Sequence, residues 1–285
     1  MRPVRIHRIR AGRPKPGLKR QHIAGIELTA QLVKAETVGL EVGSETVEFR
    51  PTERQTGEFI HDIGTAGAIS LVLQAVLPTA CLAPSEIVFR IRGGTDVAWS
   101  PPIEYLQHVF VPTLKLLGAD IDIRIERRGH YPKGGGRVIA RVKPSQGFKP
   151  VELLDFGQIQ SIRGVSHCVR LPRHVAERQA ASAKQLIENS GYNDVEIEIE
   201  SYPKGDDPHL SPGSGIVLWA ESEKGVRIGA DSLGAKGKRA EIVGEEASRQ
   251  LVRELSTGKA VDSYLCDMLV PYLALADGNS AIGIT

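Results

Sequence analysis

Apolar and polar residues alternate along several short runs of the chain. The runs are "VRIHRIRAG" (4–12), "IVFRIRGG" (87–94), "DIDIRIERRG" (120–129), "GRVIARVKP" (136–144) and "DVEIEIES" (194–201). A period of two sets one face of a strand against a core and the other toward water. Between these runs the period lengthens. Ile23, Ile26, Leu28 and Leu32 recur at helical spacing, as do Leu106, Val109, Phe110, Leu114 and Leu117, which predicts helices over about 21–35 and 103–117. "RHVAERQAASAKQLIENSG", stopped by Gly191, and "KRAEIVGEEASRQLVRELSTG" predict two more. The stretch "AVDSYLCDMLVPYLALADG" has a helical rhythm but is apolar almost all round.

These elements repeat. An alternating run ends in Gly, a Pro-containing loop follows, then a helix, and strands close the unit: once over 4–51, ending in "TVEFRP", and again over 87–144. Between them "IHDIGTAGAISLVLQAVLP" reads as a strand, a Gly turn and a buried helix. A duplicated unit of this kind packs its helices against one face of a sheet. The fold class expected is α+β. After Lys149 the pattern changes. Residues 159–250 carry their own strands, helices and a hairpin bending at Glu223, Lys224 and Gly225, and read as a small α/β module set into a larger domain made of 1–158 and 251–285.

Composition narrows the function without naming it. A chain of 285 residues with 41% hydrophobic and 25% charged residues is ordinary globular material. A net charge of +2 excludes a uniformly basic nucleic-acid coat, so any nucleic-acid contact must be a local patch. Cys81, Cys168 and Cys266 are few and far apart, the pattern of free thiols in a reducing compartment, and a cytoplasmic location is expected. No signal-peptide h-region is visible, and the longest apolar run, 68–83, contains Gln74 and Pro78 and is too short to span a bilayer. The eight histidines show no HxxxH or HExxH spacing, and no zinc site is expected from them.

One local patch stands out. "IRAGRPKPGLKRQH" (9–22) gathers Arg10, Arg13, Lys15, Lys19 and Arg20 with no acid among them, just before a helix whose first turn includes Gln21. Guanidinium forks, ammonium groups and a helix N-terminus all suit phosphate oxygens. The plainer alternative is a solvated loop spaced by Pro14 and Pro16. Elsewhere, Gln74 is a polar side chain in an apolar helix and needs a partner. Asp96 and Ser100 read as loop and N-cap residues, and Pro101 and Pro102 as a preset helix start. "YPKGGGRV" (131–138) lacks the P-loop pattern and reads as a tight strand connection. His174 reads as structural.

Six stretches, "RIRAGRPKPGLKRQH", "IGTAGAISLVLQAVLP", "RGGTDVAWSPP", "RRGHYPKGGG", "LPRHVAER" and "DSYLCDMLVPYLALA", together resemble the RNA 3′-terminal phosphate cyclase family, in that family's order. The wording "AGRPKPGL" resembles the catalytic branch more than its ribosome-assembly relatives. The resemblance implies repeated four-stranded sheet units with helices and an inserted thioredoxin-like module. It implies an ATP-dependent ligase-class reaction in which a histidine becomes adenylated, AMP passes to an RNA 3′-phosphate, and the 2′-hydroxyl closes a 2′,3′-cyclic phosphate. ATP and a divalent ion, Mg or Mn, are the implied cofactors, and RNA with a 3′-phosphate the implied partner. Nucleotide contacts are implied for Gln74, Pro102, Tyr264, Leu265, Cys266, Asp267 and Met268, and RNA or phosphate contacts for Arg10, Arg13, Lys15, Arg20 and Gln21.

Two departures qualify that picture. Met268 stands where the family usually has Gln, which removes an amide donor and acceptor. The family's "GEGGGQ"-type loop precedes the point where this sequence starts, and its nucleophilic histidine, in a "H…TN" motif, follows the point where it stops. None of the eight histidines matches that motif, so no catalytic residue is assigned and impaired activity is expected. The alternative is a non-catalytic protein that binds RNA ends or nucleotides.

Overall fold

The computed structural model describes residues 2–285. The fold is α+β, built on one continuous hydrophobic core. β1 (Val4–Ile6), α1 (Arg20–Leu32), β2 (Glu36–Val38) and β3 (Val47–Arg50) form the first unit. Its sheet is antiparallel in the order β1-β3-β2, three-stranded among the described residues where four strands were expected. The predicted strand over 4–12 stops at Ile6. Arg8 and Arg10 adopt positive φ (57° and 55°), which leaves the extended region and turns the chain. Along α1 the apolar stripe buries Ala24, Leu28 and Leu32.

The second unit runs β4 (Gly57–Asp62), α2 (Ile69–Cys81), β5 (Ile87–Gly93), α3 (Ile103–Tyr105), a π-helical turn (Leu106–Phe110), α4 (Val111–Leu116), β6 (Asp120–Arg127) and β7 (Gly136–Lys143). α3, the π turn and α4 follow one another without a break, matching the single helix expected over 103–117. The sheet order is β4-β5-β7-β6, parallel between β4 and β5 and antiparallel elsewhere. α2 buries Ile69, Val72, Leu73, Val76, Leu77 and Ala80, because α1, the sheet and the helix near the end of the sequence all pack on it.

β8 (Glu152–Leu153) leads into a third group: β9 (Ile159–Val169), α5 (His174–Asn189), β10 (Val195–Ser201), β11 (Gly213–Ser222), β12 (Arg227–Leu233) and α6 (Ala240–Ser256). Its sheet order is β10-β9-β11-β12, with β10 parallel to β9 and the rest antiparallel. α7 (Ser263–Leu275) follows, and β13 (Ala281–Ile282) returns to pair with β8. No helix of the described residues is long and apolar enough to cross a membrane. Cys81, Cys168 and Cys266 are free thiols.

A buried guanidinium joins the second and third sheets. Arg128, at the end of β6, is 2% exposed and binds Glu104 of α3, both oxygens of Asp96 at 3.3 Å, and Glu200 of β10 at 2.9 Å. Asp96 lies in the loop after β5, as the sequence suggested, but it caps no helix. It lies fully inside, its carboxylate held by Arg128 and by the Thr95 hydroxyl, which donates at 2.6 Å. Ser100 does not cap α3 either: its hydroxyl donates back to the Val97 carbonyl at 3.0 Å, and Pro102 occupies the N-cap.

Candidate functional site

β5 ends in two glycines that allow a close crossing. A Cβ on Gly94 would meet the Ala66 carbonyl oxygen at 2.5 Å, and one on Gly93 would meet Ile63 at 2.7 Å. With the space left open, Gly94 N donates to Gly67 O at 2.8 Å and Ile69 N to Gly94 O at 2.9 Å. This stitches the start of α2 to the end of β5 and brings Gln74, near the middle of α2, beside the loop 95–102.

From the other side, Asp262 sets the position of α7. Its Oδ1 caps the helix by accepting from Tyr264 N and Leu265 N. The same oxygen accepts from the Tyr105 hydroxyl, and Oδ2 accepts from Gly229 N of β12. Gly229 is required for that approach, since a Cβ there would stand 2.8 Å from the Tyr105 ring and 2.7 Å from Val109. One carboxylate thus ties α3, β12 and α7 together.

The result is a cleft of about 470 Å³ lined by Gln74, Trp99, Ser100, Pro101, Tyr105, Asp231, Tyr264, Asp267 and Met268. Three of the sequence motifs meet in it, although they are far apart in the chain. The Gln74 amide nitrogen is buried without a hydrogen-bond partner, an unmet donor of the kind a ligand acceptor satisfies. Trp99 stands at positive φ (69°) and is 99% exposed; Tyr264 is 54% exposed. The cleft holds two carboxylates. Asp267 is exposed, whereas burial and then the charges of Asp96, Asp262 and Glu104 push Asp231 up to about 7.

The structure sorts the expected nucleotide residues. Gln74, Tyr264, Asp267 and Met268 line the cleft. Pro102 is buried behind its neighbour Pro101. Leu265 is fully buried in the core and Cys266 half-buried, and neither lines the cleft, because a helix turns successive residues about its axis to different faces. Sequence reading passed over Trp99, Tyr105 and Asp231. For Trp99 there was a signal, a large aromatic in a Pro-containing loop between two predicted elements. Asp231 had none, sitting in an ordinary alternating strand. A second, larger groove of about 670 Å³ between β6 and β10 holds none of the expected nucleotide residues.

The basic loop is a separate surface next to α1. Arg13, Lys15 and Arg20 are exposed, and Gln21 lies half-buried beside Gly67 at the start of α2. The nearest ion pairs in sequence are Arg5–Glu48 and Glu27–His61, and none involves the loop's own cations among the described residues. Arg10 differs from the others. Its guanidinium donates to Lys15 O at 2.8 Å and Gly17 O at 3.0 Å, so it braces the loop from within. His22 Nδ1 accepts from Lys19 N at 3.0 Å, and burial together with Arg10 and Lys19 lowers its pKa.

Comparison with known proteins places the chain in a family. The family model described as RNA 3′-terminal phosphate cyclase matches residues 1–285. A protein of Methanopyrus kandleri named RNA 3′-terminal phosphate cyclase is 53% identical over 283 residues, which is 99% of this chain and 80% of that relative. Proteins of the same name from Ignicoccus hospitalis and Staphylothermus marinus are 52% and 50% identical, each again with 80% of its length covered. A family match over the whole sequence, together with relatives at about 50% identity covered to 80% of their length, shows that the chain belongs to the RNA 3′-terminal phosphate cyclase family.

Proposed function

We propose that the cleft between α2, the loop 95–102, β12 and α7 binds ATP, and that the basic loop 10–21 receives the phosphate end of an RNA, in the service of ATP-dependent 2′,3′-cyclic phosphate formation through enzyme-AMP and RNA-adenylate intermediates. The observation that carries this is the unpartnered amide nitrogen of Gln74, a residue that lines the cleft beside the exposed rings of Trp99 and Tyr264. A purine offers ring nitrogens to the amide and a face to Trp99 or Tyr264. The donor set also fits a divalent cation. Asp231 of β12 and Asp267 of α7 would offer hard oxygen ligands, suited to Mg or Mn carried in with the triphosphate. Such an ion would neutralise phosphate charge. Arg13, Lys15 and Arg20 are free to meet RNA phosphates, while Arg10 keeps the loop in shape.

The second reading, binding of nucleotide or RNA ends without catalysis, has its own observation: no histidine lines the cleft. Covalent adenylation requires a nucleophile in line with the α-phosphorus. The experiment separates the two readings. ATP added to the protein should quench the exposed Trp99 while leaving the buried Trp219 unaffected. RNA bearing a 3′-phosphate, incubated with ATP and Mg²⁺, should become phosphatase-resistant if the full reaction runs. Quenching without resistance, and without acid-labile labelled AMP on the protein, favours the binding reading. No quenching removes the nucleotide site from this cleft.

A further inference from the structure

Outside the cleft, three side chains from distant parts of the sequence converge in the interior. Asp96 follows β5, His130 lies in the connection from β6 to β7, and His167 is in β9 of the third sheet. One donor atom from each lies within 4.8 Å of the others, and all three residues are buried. His167 Nε2 stands 3.7 Å from Asp96 Oδ1, and His130 Nε2 stands 4.0 Å from Asp96 Oδ2. The two imidazole rings are 5.2 Å apart and tilted by 38°.

We propose that Asp96, His130 and His167 bind a divalent transition-metal ion of the zinc class, which clips the second sheet to the third.

Three independent features support the site. The first is unmet bonding. His130 Nε2 and both ring nitrogens of His167 are buried with no hydrogen-bond partner, which is costly unless something else takes the lone pairs. The second is shape. β11 carries Gly213 and Gly215 where the rings pack; a Cβ on Gly213 would fall 2.1 Å from the His130 ring, and one on Gly215 would lie 3.1 Å from His167. The strand is kept bare to seat both imidazoles. The third is charge. The buried Asp96 and Glu104 share the single guanidinium of Arg128 with the partly exposed Glu200, and burial pushes Glu104 up to about 7, so a cation beside Asp96 would meet carboxylates that one guanidinium serves alone.

The donor set selects the ion. Two imidazole nitrogens and one carboxylate suit zinc, ferrous iron or cobalt, with a further position open to water, and suit Mg²⁺ poorly, since it prefers oxygen ligands. The carboxylate is already oriented from behind by the Thr95 hydroxyl at 2.6 Å and by Arg128, as ligating carboxylates usually are. Bonds of about 2.0–2.2 Å require the three donors to draw together slightly from their present spacing. The sequence hid this site because its ligands come from three separate segments with no local spacing. The proposal stands apart from the nucleotide reading, since it involves none of the cleft-lining residues.

The test uses the whole chain without nucleotide. Protein stripped with a chelator, incubated with ZnSO₄ and desalted, should retain one zinc per chain by mass spectrometry, in the presence of excess Mg²⁺. Its melting temperature should rise on adding zinc. Co²⁺ in place of zinc should give visible d–d absorption. His130→Asn and His167→Asn should each cut zinc retention at least about tenfold, while His174→Asn, on the exposed start of α5, should retain it. If His167→Asn does not fold, His130→Asn and the wild-type titration decide. Folded wild-type protein that retains no zinc and melts at the same temperature with or without it would overturn the site. So would full retention in His130→Asn.

Discussion

The Tyr105 hydroxyl donates a 2.7 Å hydrogen bond to Asp262 Oδ1, joining residues 157 positions apart in the sequence, both fully or almost fully buried. Asp262 accepts three further backbone donors, so removing its carboxylate strands several buried N–H groups at once. Asp262→Ala should cost about 3 kcal/mol or more, and Tyr105→Phe about 1–2 kcal/mol. In a double-mutant cycle by chemical denaturation, Tyr105→Phe should cost little once Asp262 is Ala. Full additivity of the two losses would show that the bond does not couple α3 to α7.

His108 supplies a pH dependence. Its ring stacks on Trp219 at 4.0 Å and 1° between planes, and burial, with Arg227 adding to it, brings its pKa down to about 4. A histidine whose pKa is lower folded than unfolded stabilises the fold fully above about pH 6.5, and that stability is lost as the pH falls through about 4. His108→Asn should flatten the stability–pH curve over this window, by about 1–2 kcal/mol after allowing for the ring's partial solvent access. An unchanged difference between wild type and variant from pH 7 to pH 4 would refute it.

Charge removal in the basic loop should separate two roles. Arg13→Gln and Arg20→Gln should weaken binding of single-stranded RNA and each lower the salt slope by about 0.7. Arg10→Gln should instead loosen the loop, since the guanidinium holds two carbonyls of the loop itself; its signature is faster amide exchange over residues 11–17. Equal salt slopes in wild type and Arg13→Gln would remove phosphate contact from the loop.

Nucleotide affinity should follow the cleft and not the whole α7 motif. Trp99→Ala should weaken ATP binding by about 1–3 kcal/mol if the base stacks there, and Gln74→Ala should weaken it as well. Cys266→Ala should leave affinity within about twofold, as that side chain does not line the cleft. Titration calorimetry on the three variants checks this, and an effect at Cys266 as large as that at Gln74 would place the nucleotide elsewhere.

Much of this was readable beforehand. Alternation located β5, β6, β7 and β10, and the helical period located α1, α5 and α6, because each buries one face and period follows burial. The strand over 4–12 was overextended because alternation cannot register a backbone that turns to positive φ at Arg8 and Arg10. The burial of Asp96 within its loop was missed for a different reason. An Asp in a Gly-rich loop has the local signature of a turn, and only Arg128, Thr95 and two distant histidines make it an interior residue. Leu265 and Cys266 were grouped with Tyr264 and Asp267 by motif, whereas the helical turn divides them between core, flank and cleft.

The link between Tyr105 and Asp262 also bears on the order of assembly during synthesis. Contacts of long sequence separation form late, and this one spans the entire third sheet and its helices. At about 5–20 residues per second, Tyr105 leaves the ribosome some 8–30 s before Asp262. Through that interval the second unit has its strands and helices but no α7, and Gln74 and Trp99 face solvent on one half of a cleft. The cleft therefore stays one-sided until the intervening module has been made and α7 has emerged to close it.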